Sequence, residues 1–373
     1  MKRFIAIILL FTLGCAALGE TTAPGVPGNR MGLAALKALY DGSDNQFVSP
    51  VSLAYALSMA AAGAEGETRA ELLAALDARD AEEICALNDS LLASGLRWAN
   101  AVFLDESIAL SDDYRTALVD FEAAYFPLDG AERVNAWAAG HTDGLIDHLI
   151  DSVPAGTLMM LVNAIVMDQQ WAVPFEDSDT WEEDFHGPDG DAPCDFMHRT
   201  FKSAEYAEAD GTQMLRMRYR DSGLSCLLAL PPEGGMDAAL TALAERGLDW
   251  LSIPGGWRDV RLSMPRLDIT VSNSLSDVVK ALGVGVAFSE NAEFGGMSDQ
   301  PLWISEILQK VRVEMTEEGT RAAAVTDVML AAGAAVGFEP ALPVEMRLDR
   351  PFIVVIADET SGAICFAGVV AKP

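Results

Sequence analysis

Residues 317–336 read EEGTRAAAVTDVMLAAGAAV, and at strand period their side chains separate into two sets. One parity is Thr320, Ala322, Ala324, Thr326, Val328, Leu330 and Ala332, with no charge. The other carries Arg321 and Asp327 beside Ala323, Val325, Met329 and Ala331. Such a segment can lie exposed as a loop, or slide into a sheet and bury its uncharged face. Small residues suit that entry, because a strand inserted between two others must displace little packing. The same run also fits a helix, since alanine is the best helix former. Gly319, Gly333 and Gly337 each weaken a continuous helix by roughly 1 kcal/mol relative to alanine. The surrounding chain has to decide between the two.

The chain has 373 residues, half of them hydrophobic, enough for one large or two ordinary domains with a substantial core. Its formal net charge of −31 repels nucleic acid and anionic lipid, so neither is an expected partner. The acidity reads first as a solvated surface, although a cluster such as residues 177–184 would also attract a basic partner. Residues 1–19 read as an export signal, in which Lys2 and Arg3 precede the apolar run 4–13, too short to span a bilayer. The run ends in Thr12-Leu13-Gly14-Cys15. Gly before Cys is similar to a bacterial lipobox that would lipidate Cys15, but Thr12 stands where a large aliphatic residue is preferred. Cleavage after Ala17 or Gly19 would instead release a secreted protein. The Gly-Cys pair favours lipidation, and a membrane is expected as a partner only through that lipid. Cys226 and Cys365 lie in apolar strand-like runs, Cys85 and Cys194 form no CxxC spacing, and no disulfide is expected to be required.

Apolar spacing predicts helices over 29–41, 50–62, 68–76, 81–93, 112–125 and 132–150. Ser49-Pro50 is a cap followed by proline at the first helical position. Strands are expected at 96–104 and 157–167, the latter (TLMMLVNAIVM) apolar enough to be buried on both faces. From about residue 190 the chain becomes strand-rich, with strands at 213–219, 224–230, 260–264, 268–271, 303–315, 352–357 and 363–370. Helices at 236–251 and 274–282 interrupt them. With no repeat or linker visible, a single α+β domain over residues 20–373 is expected.

Catalytic chemistry finds little support. The histidines are His141, His148, His186 and His198, none of them in HExxH, and no GxSxG elbow or Walker loop occurs. His141 and His148, seven apart, would share a helix face as surface histidines. Gly283-Val284-Gly285 lacks a third glycine and reads as a turn. The chain is therefore not expected to be an enzyme, and no cofactor or metal is expected.

Five separated blocks together resemble the serpin family over nearly everything after the signal segment. Residues 45–68 (NQFVSPVSLAYALSMAAAGAEGET) are similar to the block holding the shutter serines, Ser49 and Ser52. Val134-Asn135-Ala136-Trp137 with residues 142–150 resembles the helix that crosses the main sheet. Residues 161–175 (LVNAIVMDQQWAVPF) resemble its third strand, with Asn163 in the shutter and Trp171 in the breach. Residues 314–326 match the hinge. The C-terminal strands are matched by 349–352 (DRPF) and Phe366-Ala367-Gly368. Gln309 stands where the family usually has a histidine, and it can still hydrogen-bond Asn163, Ser49 and Ser52. The loop between hinge and DRPF is about six or seven residues longer than in familiar members.

The resemblance implies one α+β domain with a large central mixed sheet, further sheets, about eight or nine helices and an exposed reactive loop near 317–343. It implies a monomer that traps a serine protease, with a cysteine protease as the other possible target. The protease would attack the loop as substrate, and the acyl-enzyme would be caught as the cut loop enters the main sheet. The hinge would comprise Glu317, Glu318, Gly319, Thr320, Arg321, Ala322, Ala323, Ala324, Val325 and Thr326. Glycine at 319 is expected to give the bend freedom. Counting at family spacing places the reactive bond at Gly333–Ala334, within a bait running from Met329 to Phe338. The alternative is a non-inhibitory binding or scaffold protein of the same fold.

Overall fold

The computed structural model describes residues 25–252, 256–320 and 342–373. Eight α-helices occur among them: α1 (Asn29–Leu39), α2 (Pro50–Gly63), α3 (Gly66–Leu76), α4 (Asn88–Ala93), α5 (Asp112–Asp120), α6 (Ala131–His141), α7 (Met236–Arg246) and α8 (Ser276–Ala281). The main sheet runs β3 (Ala123–Pro127), β2 (Arg97–Leu104), β4 (Met159–Val166), β12 (Glu306–Met315) and β11 (Leu267–Ser274). At one end β13 (Gly319–Thr320) and β5 (Gln169–Gln170) join it. The second sheet runs β1 (Gln46–Val48), β16 (Ile364–Val370), β15 (Phe352–Asp358), β9 (Leu224–Leu230), β8 (Thr212–Arg218), β7 (Gly190–Ala209), β10 (Trp257–Pro265) and β14 (Val344–Arg347), with β6 (Thr180–Gly187) also paired to β7.

Side-chain alternation sorts the strands into layers. On β15, Ile353 and Val355 face α1 and α7 through Leu33, Leu36, Leu240 and Leu243. Phe352, Val354 and Ile356 face the other way, into the core shared with the main sheet. A strand covered on both faces needs an unbroken apolar run, which is why β9, β15 and β16 are buried at every position. Between the sheets lies α2, apolar all round and buried at nearly every residue. Its start is fixed by the Ser49 hydroxyl, which accepts from the Ser52 amide at 3.3 Å, with Pro50 supplying a preset φ. Across the outer face of the main sheet lies α6, packing Val134, Trp137 and Ala138 on Ala101, Phe103, Met160 and Val162.

Three expected helices end early at residues of positive φ, and of these the segment 236–251 stops at Arg246, before Gly247 (φ 56°). The segment 132–150 stops at His141, because Asp143 (φ 51°) and Gly144 (φ 76°) adopt left-handed backbone and the Gly144 amide returns to the Ala139 carbonyl at 2.9 Å. His148 therefore shares no helix face with His141. Likewise 112–125 stops at Asp120. Glu122 (φ 51°) turns the chain, and residues 123–127 become β3, parallel to β2. Cys85, Cys194, Cys226 and Cys365 are free thiols. The segment 1–19, with Cys15, lies outside the described residues.

Close approach explains one glycine. A Cβ at Gly368 on β16 would stand 2.2 Å from the ring of Phe47, a fully buried residue of β1. Gly368→Ala is expected to destabilise the fold by about 1–3 kcal/mol through overpacking, read as a lower midpoint in urea unfolding.

Candidate functional site

The candidate site is a fork between two central strands. β4 and β12 pair in parallel from Met160↔Glu306 to Ile165↔Val311. Beyond that pairing they part, and the gap holds β13. Thr320 pairs antiparallel with Met315 of β12, while Gly319 and Thr320 pair antiparallel with Gln170 and Gln169 of β5. The first two residues after Glu318 thus already form a short strand inside the main sheet. Gly319 is needed here for space rather than for bend freedom: a Cβ would stand 2.1 Å from the Gln169 carbonyl oxygen.

The segment 171–175 grips the chain leading into β13. The Trp171 amide donates to the Glu318 carbonyl at 2.8 Å, its indole Nε1 donates to the Thr316 carbonyl at 3.0 Å, and the Phe175 amide donates to the Glu317 carbonyl at 2.8 Å. Trp171 is fully buried and stacks on Tyr219 at 4.5 Å between ring centres. The Tyr219 hydroxyl in turn meets Thr320 Oγ1 at 2.7 Å. Burial raises the Tyr219 phenol well above its ordinary pKa, so it stays protonated as a hydrogen-bonding partner for Thr320.

Glu317 is buried beside Arg266, with Oε1 2.6 Å from Arg266 Nη2 and 2.5 Å from the Thr180 hydroxyl that donates to it. Arg266 also holds Asp195 at 2.9 Å. Burial alone would push the Glu317 carboxyl up, but the bonds from Arg266 and Thr180 outweigh it and its pKa falls below 4.5. A depressed carboxyl stabilises the dock above its unfolded pKa and loses that contribution as pH falls through the folded value.

Farther along the pairing, a row of buried side chains crosses the inner face of the sheet. Asn100, Asn163 and Gln309 are register partners on β2, β4 and β12. Gln309 clamps the Ser49 backbone, accepting from its amide at 2.8 Å and donating to its carbonyl at 3.0 Å. The bond expected between Gln309 and Asn163 is not what forms. Asn163 instead accepts from the Ser52 hydroxyl and donates to Asn100, whose own amide reaches the Phe121 carbonyl at 3.0 Å. Both strands are thereby tied to the first turn of α2.

Of the residues singled out in the sequence, Ser49, Ser52, Asn163 and Gln309 gather in this row. Trp171, Glu317, Glu318, Gly319 and Thr320 gather at the fork. Arg321, Ala322, Ala323, Ala324, Val325, Thr326, Gly333 and Ala334 lie outside the described residues. Sequence reasoning missed Asn100, Tyr219 and Arg266. Asn100 had a readable signal, a lone amide inside an apolar strand. Tyr219 and Arg266 act through tertiary contacts that no spacing announces.

Two outcomes follow from this geometry. Gln309→Leu leaves the buried Ser49 amide without its acceptor, at about 1–3 kcal/mol, while the Ser49 carbonyl keeps the Leu53 amide at 3.0 Å. The variant is expected to unfold at a lower urea concentration than wild type, read from its unfolding midpoint. Acidification through the depressed pKa of Glu317, below the ordinary glutamate range, should release the dock as Glu317 protonates, raising hydrogen exchange at the Trp171 and Phe175 amides. In Glu317→Gln that acid step should be absent.

A family model described as serpin (serine protease inhibitor) matches residues 28–373. A putative serpin-Z5 from rice, Oryza sativa subsp. japonica, is 31% identical over 404 aligned residues, covering 94% of this chain and 91% of its own. A serpin-like protein of Thermococcus kodakarensis is 29% identical, covering 90% and 83%. The native structure of the thermophilic serpin Tengpin superposes with a TM-score of 0.83 at 25% identity, covering 93% of each chain. Human thyroxine-binding globulin superposes with a TM-score of 0.80 at 25% identity, covering 93% of this chain and 99% of its own. With the family model spanning nearly the whole chain, this protein belongs to the serpin family.

Proposed function

We propose that the protein is a suicide-substrate inhibitor of serine proteases, trapping the acyl-enzyme as its cut loop enters the main sheet between β4 and β12. The observation that carries this reading is the docked pair Gly319–Thr320, which already runs antiparallel to both flanking strands. Each further residue entering along that line replaces part of a parallel pairing by two antiparallel ones, the stronger ladder per residue. Ten or more residues would gain backbone hydrogen bonds at about 1 kcal/mol net each, plus apolar burial. The starting fold is then metastable, held by a barrier rather than by equilibrium. The side chains that follow Thr320 on the same parity, Ala322, Ala324 and Thr326, are small enough to enter.

The target follows from the bait. No Lys or Arg lies between Arg321 and Arg347, which argues against enzymes that need a basic residue in an acidic pocket. Cleavage at Gly333–Ala334 within the small residues 331–336 suits the shallow pocket of elastase-like or subtilisin-like enzymes. The same reading takes the protein as exported, acting as a monomer and either freely secreted or anchored through Cys15. A non-inhibitory binding role is the second reading, favoured by the likeness to thyroxine-binding globulin, a similar fold solved with thyroxine.

Incubation with elastase, subtilisin and chymotrypsin should yield an SDS-stable complex with at least one of them, and loop cleavage should raise the melting temperature sharply. Thr320→Arg puts a charge beside the buried Tyr219 hydroxyl and should turn inhibitor into substrate. Cleaved product alone from the wild-type protein, with no gain in melting temperature, would establish the second reading instead.

A further inference from the structure

A cavity of about 190 Å³ opens beside the fork, on the far side of the segment that grips the hinge. Its floor is Phe201, Ala204 and Met217, and its walls include Val173 and Trp257. Those two walls are 44% and 59% exposed, so this protein leaves large apolar side chains in water around one concave spot. Lys202 and Arg218 stand at the rim. Lys202 pairs with Asp259 at 2.6 Å, a contact exposed enough to be exchanged at little cost, whereas Arg218 is held by Glu205 at 2.5 Å and by Glu359 at 3.5 Å, and the Glu205 side chain also lines the cavity.

The backbone is shaped to make this opening. Between Arg258↔Ala204 and Val260↔Phe201 the β7–β10 register slips, so Lys202 and Ser203 face Asp259 alone. Ser203 sits at φ 50°, a strained conformation for serine, held by a bond from its amide to Asp259 Oδ1 at 3.1 Å. Bulges of this kind and strained non-glycine residues gather at binding sites, where they re-aim side chains.

We propose that this cavity binds a small aromatic acid, one ring or two fused rings with a single carboxylate, and that its occupancy is coupled to docking of the hinge. Size sets the first part, because an apolar cavity of about 150 Å³ holds one benzene. Trp257 and Phe201 offer ring surfaces and Met217 a polarisable floor, while Lys202 at the rim meets a carboxylate. The wall supplies the coupling. Ala172 and Val173 lie between Trp171 and Phe175, whose amides hold the Glu318 and Glu317 carbonyls, and the Ala172 amide is itself held by the Arg218 carbonyl at 2.9 Å. A ligand bracing that wall favours the docked hinge, and by linkage the docked hinge favours the ligand. What the coupling would regulate rests on the inhibitory reading above; the binding does not.

The test is calorimetric titration of the full chain with 2-naphthoate at low salt, beside its uncharged analogue 2-naphthylmethanol. A single site with a Kd on the order of 100 µM is expected for the acid, and weaker binding for the alcohol. Trp257→Ala should weaken the acid about tenfold and Trp257→Phe should largely restore it. Thr320→Arg, which undocks the hinge without touching the cavity, should weaken it about fivefold. Absence of binding at millimolar 2-naphthoate, or an unchanged Kd in Trp257→Ala, overturns the site. Equal affinity for the alcohol overturns the acid, and an unchanged Kd in Thr320→Arg overturns the coupling. Protease complexes formed without naphthoate binding would sink this proposal alone. Coupled binding without any protease complex would sink the inhibitory reading alone.

Discussion

Three consecutive carbonyls, those of Thr316, Glu317 and Glu318, are held by donors from one short segment, the Trp171 indole and the amides of Trp171 and Phe175. The rest of the site depends on that grip. It turns the chain back after β12, aims Gly319 and Thr320 into the fork, and brings Thr320 under the Tyr219 hydroxyl. Buried carbonyls left unpaired would each cost as much as a lost hydrogen bond, so the turn is stable only while Trp171 stays where it is. The indole is well suited to this, since it is the largest fully buried side chain among the described residues and still presents a donor.

Away from the fork, the two strands are tied through α2 rather than through each other's side chains. Gln309 on β12 grips the Ser49 backbone, and Asn163 on β4 takes the Ser52 hydroxyl, both at the first turn of the same helix. Neighbouring strands lie about 4.8 Å apart, and admitting another between them roughly doubles that distance. A helix start anchored to both strands cannot follow both, so one set of buried polar bonds must break before a strand can enter. Those bonds therefore oppose opening at the point where the two strands must part. Gln309 has no titratable group, so the barrier at this position is indifferent to pH, and acid sensitivity falls to Glu317 at the other end of the opening.

Much of this architecture was legible in the sequence. β9 matched its expected span because LSCLLAL is an apolar run with both faces covered, and α2 matched because Ser49-Pro50 marks its start. Ends set by left-handed residues were not legible. Asp143 and Glu122 are ordinary acids in sequence, and only their tertiary surroundings hold them at positive φ. The hinge was found from its small residues and its glycine, yet the role given to Gly319 changed, from backbone freedom to the 2.1 Å approach of a carbonyl. The partners of Glu317 and Thr320 could not be read, because Arg266, in the link between β10 and β11, and Tyr219, just past the end of β8, are far from them in sequence.

The size limits along the hinge have different physical origins. At Gly319 the limit is backbone against backbone, and the Gln169 carbonyl leaves no room for any Cβ. At Thr320 it is a buried polar contact, so a residue there must be small and must offer the Tyr219 hydroxyl a partner. On the inhibitory reading proposed above, the limit beyond Thr320 would be kinetic, because each entering residue would pass between strands still paired from Ile165↔Val311 to Met160↔Glu306. A charge at that stage would be desolvated without a partner and would slow the passage, whereas alanine and threonine cost little. On that reading, the absence of charge on the parity that begins at Thr320 would reflect the route into the sheet as much as the final packing.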